Sequence, residues 1–531
     1  MSSTPRSYVI CLVVLLVFSF LIRLIGWDDP YFGFHIDRRL GTLQMSMSYA
    51  RDGVDFLRPH GYWVHGWQQG NLLELPIYQA LSAWTSTFTD TVLSASRGVN
   101  LFFALLTLLV VFQIAVIHFC RKTATYAALF FAFAPLNLMY HSATLPDISV
   151  VFFVTLAYWM LAEYLKGTQN KTIFIIFLLA GGYSVLVKPL YFLPVGALLV
   201  THFLQQWGRP RMKNLLNYVD RHRAVICLFA VLTSVMFLWV EVQKEVNQDS
   251  LNSLLFLNFS HLSDVMFYMR MLFRWFLLIL NPFTVLFFVL GVLLLFRDYR
   301  GSEQLALLYS IVAYHLMFGL LFTAHEYYLL VMVPFASVIA GRGACWVEER
   351  VQSDFRIRSR HALSTVIILA SAIGSVLIFS VNYVAVQDLE QRTLPIEKEM
   401  YGVLEQEKYA FVYIDKNNFP TRDYVAYNRT SKLQYFAGLL SKEQIRSRSL
   451  PARAPELLGR LKTYGDLEWT VSGTTLEVDV EKIQARYQGH LRYLMFYRFT
   501  EKAKAQIKNR IEGYKLIHES PNWLVYDLAY G

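Results

Sequence analysis

The chain of 531 residues is 55% hydrophobic and 16% aromatic, with only 17% charged side chains and a mean hydropathy of +0.36. Apolar runs long enough to cross a bilayer exclude an ordinary soluble chain and point to a polytopic membrane protein. The net charge of +10 is spread over several short turns rather than gathered on one basic face, which disfavours nucleic acid and favours anionic lipid as the partner.

The first apolar run, residues 8–27, carries one cation in its body, Arg23, and no small-residue cleavage site follows it. It is expected to be a retained first span rather than a cleaved signal peptide. Further spans are expected at 100–119, 125–140, 148–165, 173–187, 190–204, 224–240, 275–296, 305–322, 328–340 and 362–384, about eleven in all. The fifth, sixth and tenth are short, and Pro189, Pro194 and Pro334 are positioned to interrupt them.

Lys and Arg in the short connections set the orientation. With a cytoplasmic N-terminus, Arg121, Lys122, Lys166, Lys171, Arg209, Lys213, Arg221, Arg223, Arg297, Arg300 and the cations of 342–360 all fall on the inner side. The segments 34–78, 140–146 and 243–274, His325–Glu326 and the C-terminal part then lie outside. Cys11, Cys120, Cys227 and Cys345 fall in or near the inner half of the membrane, without metal-ligand spacing.

The outer segment 34–78 is too long and too charged for a simple connector. It holds Asp37, Arg38, Arg39, Arg51, Asp52, Asp55, Arg58, His60, His65 and Glu74. Leu40, Leu43, Met47 and Ala50 recur at helical spacing after Asp37, and Leu73, Ile77, Ala80, Leu81 and Trp84 do so after Asn71. Two amphipathic helices lying in the outer interface satisfy both patterns. On periodicity alone, Asp37 is equally an N-cap or a functional acid facing the lipid–water boundary.

Beyond residue 386 charges become frequent and apolar runs short, as at 409–414, 476–480, 494–497 and 523–526. Helical patterns at 432–440, 455–461 and 501–511 alternate with them, so a small soluble α/β domain spanning 386–531 is expected. Residues 1–385 then form the membrane domain, with 28–97 as its first outer loop.

Several motifs, taken in order, resemble one family. They are Asp37-Arg38-Arg39, Glu74-Leu75-Pro76-Ile77-Tyr78, Ala134-Pro135-Leu136-Asn137 with Pro146-Asp147, Leu186-Val187-Lys188-Pro189, and His325-Glu326-Tyr327-Tyr328-Leu329. Their order and shared face resemble the GT-C membrane glycosyltransferases, and within them the bacterial branch related to protein O-mannosyltransferases and the lipid A aminoarabinose transferase. The resemblance covers essentially the whole chain. It implies a mainly α GT-C fold and transfer of a sugar from a polyprenyl-phosphate donor to a hydroxyl on the outer face, with inversion. It also implies a bacterial inner-membrane enzyme, with membrane lipid and a glycan, glycolipid or protein acceptor as its other partners.

That chemistry assigns roles. The acceptor hydroxyl needs a base, for which Asp37 is the candidate. The departing lipid phosphate needs fixed cations, and Lys188, Arg38, Arg270 and Arg274 lie on the appropriate face. Asp147, at the mouth of an apolar span, is either an N-cap or a second active-site acid that positions the acceptor or a divalent ion. Glu74, His60, His65, His325 and Glu326 line the expected acceptor pocket. Of these, Glu74, His325 and Glu326 are the candidate ligands should a divalent metal be used; each also reads as a surface or structural residue. Many relatives carry a second acid after the one matched by Asp37, whereas this chain has Arg38, which weakens the case for a metal. The competing class, a transporter or flippase for lipid-linked sugars, predicts paired repeats and broken helices at mid-membrane. Neither is visible in the sequence.

Overall fold

A computed structural model describes residues 5–25, 27, 36–56, 74–89, 91–168, 170–207, 262–299, 302–355, 363–381, 410–415, 471–472, 475–476, 491–497, 513–519 and 523–527, with scattered positions in 220–238 and 505–509. The chain divides into two compact units. One comprises residues 1–33, 72–78 and 97–385; the other comprises 34–71, 79–96 and 386–531.

The first unit is helical. Its elements are α1 (Pro5–Arg23), most of α4 (Val92–His118), α5 (Arg121–Ala132), α6 (Pro135–Tyr140), α7 (Asp147–Glu163), α8 (Lys171–Val187), α9 (Leu193–Trp207), α10 (Val265–Arg274), α11 (Pro282–Asp298), α12 (Leu305–Ala324) and α13 (Val333–Phe355), followed by α14 (Leu363–Val381). The helices α2 (Ile36–Asp52) and α3 (Ile77–Thr85) stand at the two amphipathic patterns of the outer segment.

Among the described residues, four helices are long and apolar enough to cross a membrane: 92–118, 147–167, 326–353 and 363–381. A bent pair, 265–279 with 282–298, forms either a broken fifth span or a re-entrant loop, and three shorter apolar helices accompany them. Proline and polar caps explain why the runs are cut. Pro135 opens α6 where one span is expected at 125–140. The run 275–296 contains a π-turn, Trp275–Ile279, and then a turn of 110°. Its cause lies in Asn281–Pro282: the Asn281 side chain accepts from Thr284 N at 2.8 Å and Pro282 takes the first helical position. The span expected at 328–340 is longer than anticipated, because a 3₁₀ turn at Glu326–Met332 leads directly into α13. The span expected at 224–240 lies largely outside the described residues.

Small residues permit the closest helix contacts. A Cβ on Gly343 would run into the Phe287 carbonyl, and one on Gly291 into the Ile339 carbonyl, so α11 and α13 approach backbone to backbone. Gly341 does the same toward α5, where a Cβ would stand 2.8 Å from both Thr123 O and Ala127 N. Polar caps stitch the rest. Arg23 is fully buried and donates to Ala132 O at 3.1 Å, closing the C-terminus of α5. Asn100 donates to Leu145 O at 3.0 Å and fixes the 141–146 turn. Asn281 donates to Ser371 O at 2.8 Å and Ser375 Oγ at 2.7 Å, attaching α14.

In the second unit, the Tyr49 hydroxyl of α2 donates to Asp55 O at 2.9 Å. Burial, and secondarily the Asp55 charge, raise this phenol above its ordinary value. Beyond residue 386, four strands form one sheet in the order β1 (Ala410–Asp415), β4 (Leu491–Tyr497), β6 (Trp523–Asp527), β5 (Lys515–Glu519). The β1–β4 pair is parallel and the others are antiparallel. A two-stranded ribbon, β2 (Val471–Ser472) with β3 (Thr475–Leu476), accompanies it. Leu524 and Tyr526 alternate toward the buried face of β6. The helical patterns at 432–440 and 455–461 lie outside the described residues.

Candidate active site

Four elements of the first unit end together. Helix α6 closes at Tyr140, α7 opens at Asp147, α8 closes before Lys188, and the 3₁₀ turn into α13 opens at Glu326. The α7–α8 hairpin explains part of this. Both helices have 17 residues and a short connection, so the first residue of one lies beside the residue after the other.

Asp147 is fully buried, and Lys188 is 7% exposed. Lys188 Nζ lies 2.6 Å from Asp147 Oδ1, and the Tyr191 hydroxyl donates to the same oxygen at 2.5 Å. The ammonium also stands 5.4, 5.1 and 4.8 Å from the ring centres of Tyr191, Tyr327 and Tyr328. A cation removed from water is thereby held by one carboxylate and three aromatic faces. The second oxygen of Asp147, Oδ2, is buried and has no hydrogen-bond partner among the described residues. It is an acceptor left open at the charged pair.

The cluster extends in two directions. On one side, Glu74 is buried, and its backbone neighbour Leu75 donates to Leu186 O at 3.3 Å. The charges of Glu74 and Asp147 both act on Tyr183, whose hydroxyl shares a 2.7 Å hydrogen bond with Ser149. On the other side, the Tyr140 hydroxyl donates to Glu326 Oε1 at 2.7 Å, and Tyr140 and Tyr327 meet edge to face at 6.2 Å. Glu326 lies within electrostatic reach of Arg274, the last residue of α10. His325 packs against Tyr327 and Tyr328, with ring centres 5.5 and 6.2 Å away.

Of the expected site residues, Glu74, Asp147, Lys188, Arg274, His325 and Glu326 therefore belong to one region of the first unit. Arg270 is exposed on α10. Asp37 and Arg38 stand in the first turn of α2, in the other unit, and the side chain of Asp37 lies outside what is described. His60 and His65 lie outside the described residues. Among the described residues, no three His, Cys, Asp or Glu side chains converge on a point that could hold a metal ion. Glu74, His325 and Glu326 do not form a ligand set.

Tyr191, Tyr140, Tyr183 and Ser149 were not singled out by sequence. With 32 tyrosines in the chain, aromatic content at membrane ends hides the few that bond to acids. The available signal was spacing: Tyr191 follows Lys188 by three residues across a Pro-opened turn, which puts both on one side of it.

No protein-family model matches the chain, and no curated protein sequence matches it. Solved structures do. ArnT from Cupriavidus metallidurans bound to undecaprenyl phosphate aligns with a TM-score of 0.62 at 11% identity, over 98% of each chain. The apo oligosaccharyltransferase of Archaeoglobus fulgidus aligns with a TM-score of 0.54 at 11% identity, over 93% of this chain and 70% of that one. The same enzyme in complex with Zn and sulfate aligns with a TM-score of 0.50 at 12% identity, over 97% and 73%. At these identities the likeness is one of fold. The chain has the GT-C fold of these membrane proteins, as the order of its motifs led us to expect.

Proposed function

We propose that the chain is a membrane glycosyltransferase that moves a hexosyl or pentosyl group from a polyprenyl-phosphate donor to a hydroxyl of a cell-envelope acceptor, whether glycolipid, glycan or protein. The observation that carries this reading is the end-to-end likeness to ArnT, whose structure holds undecaprenyl phosphate. The bacterial inner membrane is the proposed location, with the site on the periplasmic face. Residues 1–385 are the proposed catalytic domain, and 386–531 an outer α/β domain that acts on acceptor choice.

In the proposed mechanism, the acceptor oxygen bonds to the anomeric carbon from the side opposite the carrier. The bond from that carbon to the phosphate oxygen breaks, and configuration inverts. Asp37 takes the acceptor proton as the acceptor oxygen attacks the anomeric carbon. Asp147, through its open Oδ2, accepts a hydrogen bond from the incoming hydroxyl and orients it. The leaving polyprenyl phosphate gains charge, which Lys188, Arg38, Arg270 and Arg274 are proposed to stabilise. Lys188 is already balanced by Asp147. The arginines therefore carry more of the donor's charge than the sequence suggested. The candidate metal ligands form no cluster, so no step is routed through a divalent ion. The test is to incubate purified protein with a panel of polyprenyl-phosphate sugars and follow release of the lipid phosphate, which is expected with at least one donor.

A further inference from the structure

The opposite end of the first unit carries a second cluster that the transfer reaction does not use. Cys120 is the exposed N-cap of α5, and Cys345 is buried on α13. Helix packing sets them against each other. Gly341 abuts Thr123 O and Ala127 N, and the two helices run in opposite senses. One turn further along α13 on the same face is Cys345; one turn back along α5 is the Cys120 position. Polar contacts bracket the pair. Cys120 Sγ lies 3.4 Å from Thr123 Oγ1, and the Cys345 thiol donates to Glu349 Oε1 at 3.3 Å. Beside them, Glu348 binds the Tyr126 hydroxyl at 2.5 Å and Lys122 Nζ at 3.1 Å.

We propose that Cys120 and Cys345 are a reversible redox dithiol, a covalent modification site in which a small soluble disulfide closes a Cys120–Cys345 bond between α5 and α13. Cys120 is the attacking sulfur because it is exposed and stands at a helix N-terminus beside Arg121 and Lys122, where thiolate is favoured. The adjacent Cys345 thiol holds the Cys120 thiol below its ordinary value, against the raising effect of burial, with Thr123 adding to the lowering. The Cys120 thiolate attacks one sulfur of the reagent disulfide and expels one thiolate. Cys345 then gives its proton to Glu349, to which its thiol already donates, and attacks the Cys120 sulfur, expelling the second. Two protein thiols are oxidised to one disulfide, and the reagent disulfide is reduced to two thiols.

The inference does not depend on the proposed sugar transfer.

The test uses the full-length protein with Cys11 and Cys227 changed to serine, treated with oxidised glutathione and read by intact and peptide mass spectrometry. The expected product has lost two hydrogens, carries no glutathione, yields a cross-linked peptide containing Cys120 and Cys345, and reverts with dithiothreitol. Cys345→Ala should instead trap glutathione on Cys120. Because a buried substitution can impair folding, alkylation of the unmutated protein at pH 6 gives a second readout. There Cys120 should react at least about tenfold faster than exposed Cys227, as expected for a stabilised thiolate. A lasting glutathione adduct on Cys120 with Cys345 free in the Cys11/Cys227 variant, or equal alkylation rates, overturns the proposal.

Discussion

Lys188 Nζ and Asp147 Oδ1 are 2.6 Å apart, in a pocket where Asp147 is inaccessible and Lys188 nearly so. Neither charge can be removed cheaply. Asp147→Asn leaves a buried ammonium without its carboxylate, and Lys188→Met leaves a buried carboxylate without its ammonium. Each should lower stability by about 3–5 kcal/mol, the cost typical of breaking one side of a buried pair. The double variant Asp147→Asn/Lys188→Met should recover much of that loss. Thermal unfolding of the four proteins in one detergent measures the coupling; additive losses would show the pair is not energetically linked.

Tyr191→Phe removes the phenol that donates to Asp147 at 2.5 Å. A hydrogen bond to a charged group contributes about 1.5–3 kcal/mol, so stability should fall within that range. Transfer should fall more than stability alone explains, because the Asp147 carboxylate would no longer be fixed. Comparing kcat at a temperature where both proteins remain folded separates the two effects.

Tyr140→Phe frees Glu326 Oε1 from its 2.7 Å partner. Loss of that bond should let Glu326 act more strongly on Arg274, leaving the arginine less available to the donor phosphate. The expected result is a higher KM for the polyprenyl donor with a smaller change in kcat, and an unchanged donor KM would remove Tyr140 from this role. Glu326→Gln should act in the opposite sense on donor KM.

Glu303 lies in the turn between α11 and α12, with its Oε1 2.5 Å from His202 Nδ1. Gln206 Nε2 lies 2.8 Å from the other ring nitrogen, an arrangement suited to a proton on Nδ1. The hydrogen bond from His202 holds the Glu303 carboxyl below its ordinary 4.5, overcoming the raising effect of burial. A depressed folded pKa stabilises the protein above the unfolded value, and that contribution is lost as pH falls through the folded one. Thermal stability should therefore decline below about pH 4.5, and His202→Ala should flatten that part of the profile.

Gly343→Ala tests the helix contact. Its methyl would meet the Phe287 carbonyl, so α11 and α13 must separate. Overpacking of this kind costs about 1–3 kcal/mol or more. Retention of full thermal stability would mean the helices part without cost.

The main lines were legible because composition and hydropathy speak directly to membrane helices. Asp147 and Lys188 could also be read, each at the mouth of an apolar run, but as separate groups with separate tasks. Their pairing follows from the equal lengths of α7 and α8, which place residue 147 beside residue 188. The bend before α11 was missed although its signal was present: Asn281 followed by Pro282 is a helix start, and hydropathy windows pass over it because the flanking residues are apolar. The tyrosines that hold Asp147 and Glu326 were not legible, since their partners come from elements 44 and 186 residues away.

The central claim is sugar transfer from a polyprenyl-phosphate donor with Asp37 as base. It is tested most directly by measuring lipid-phosphate release from polyprenyl-phosphate sugars by the unmodified protein and by Asp37→Asn, with unfolding curves for both. The account predicts release by the former, and a loss of about 10²–10⁴-fold in the variant with its unfolding curve unchanged. Release that persists at the same rate in Asp37→Asn, or no release from any donor by the folded unmodified protein, would contradict it.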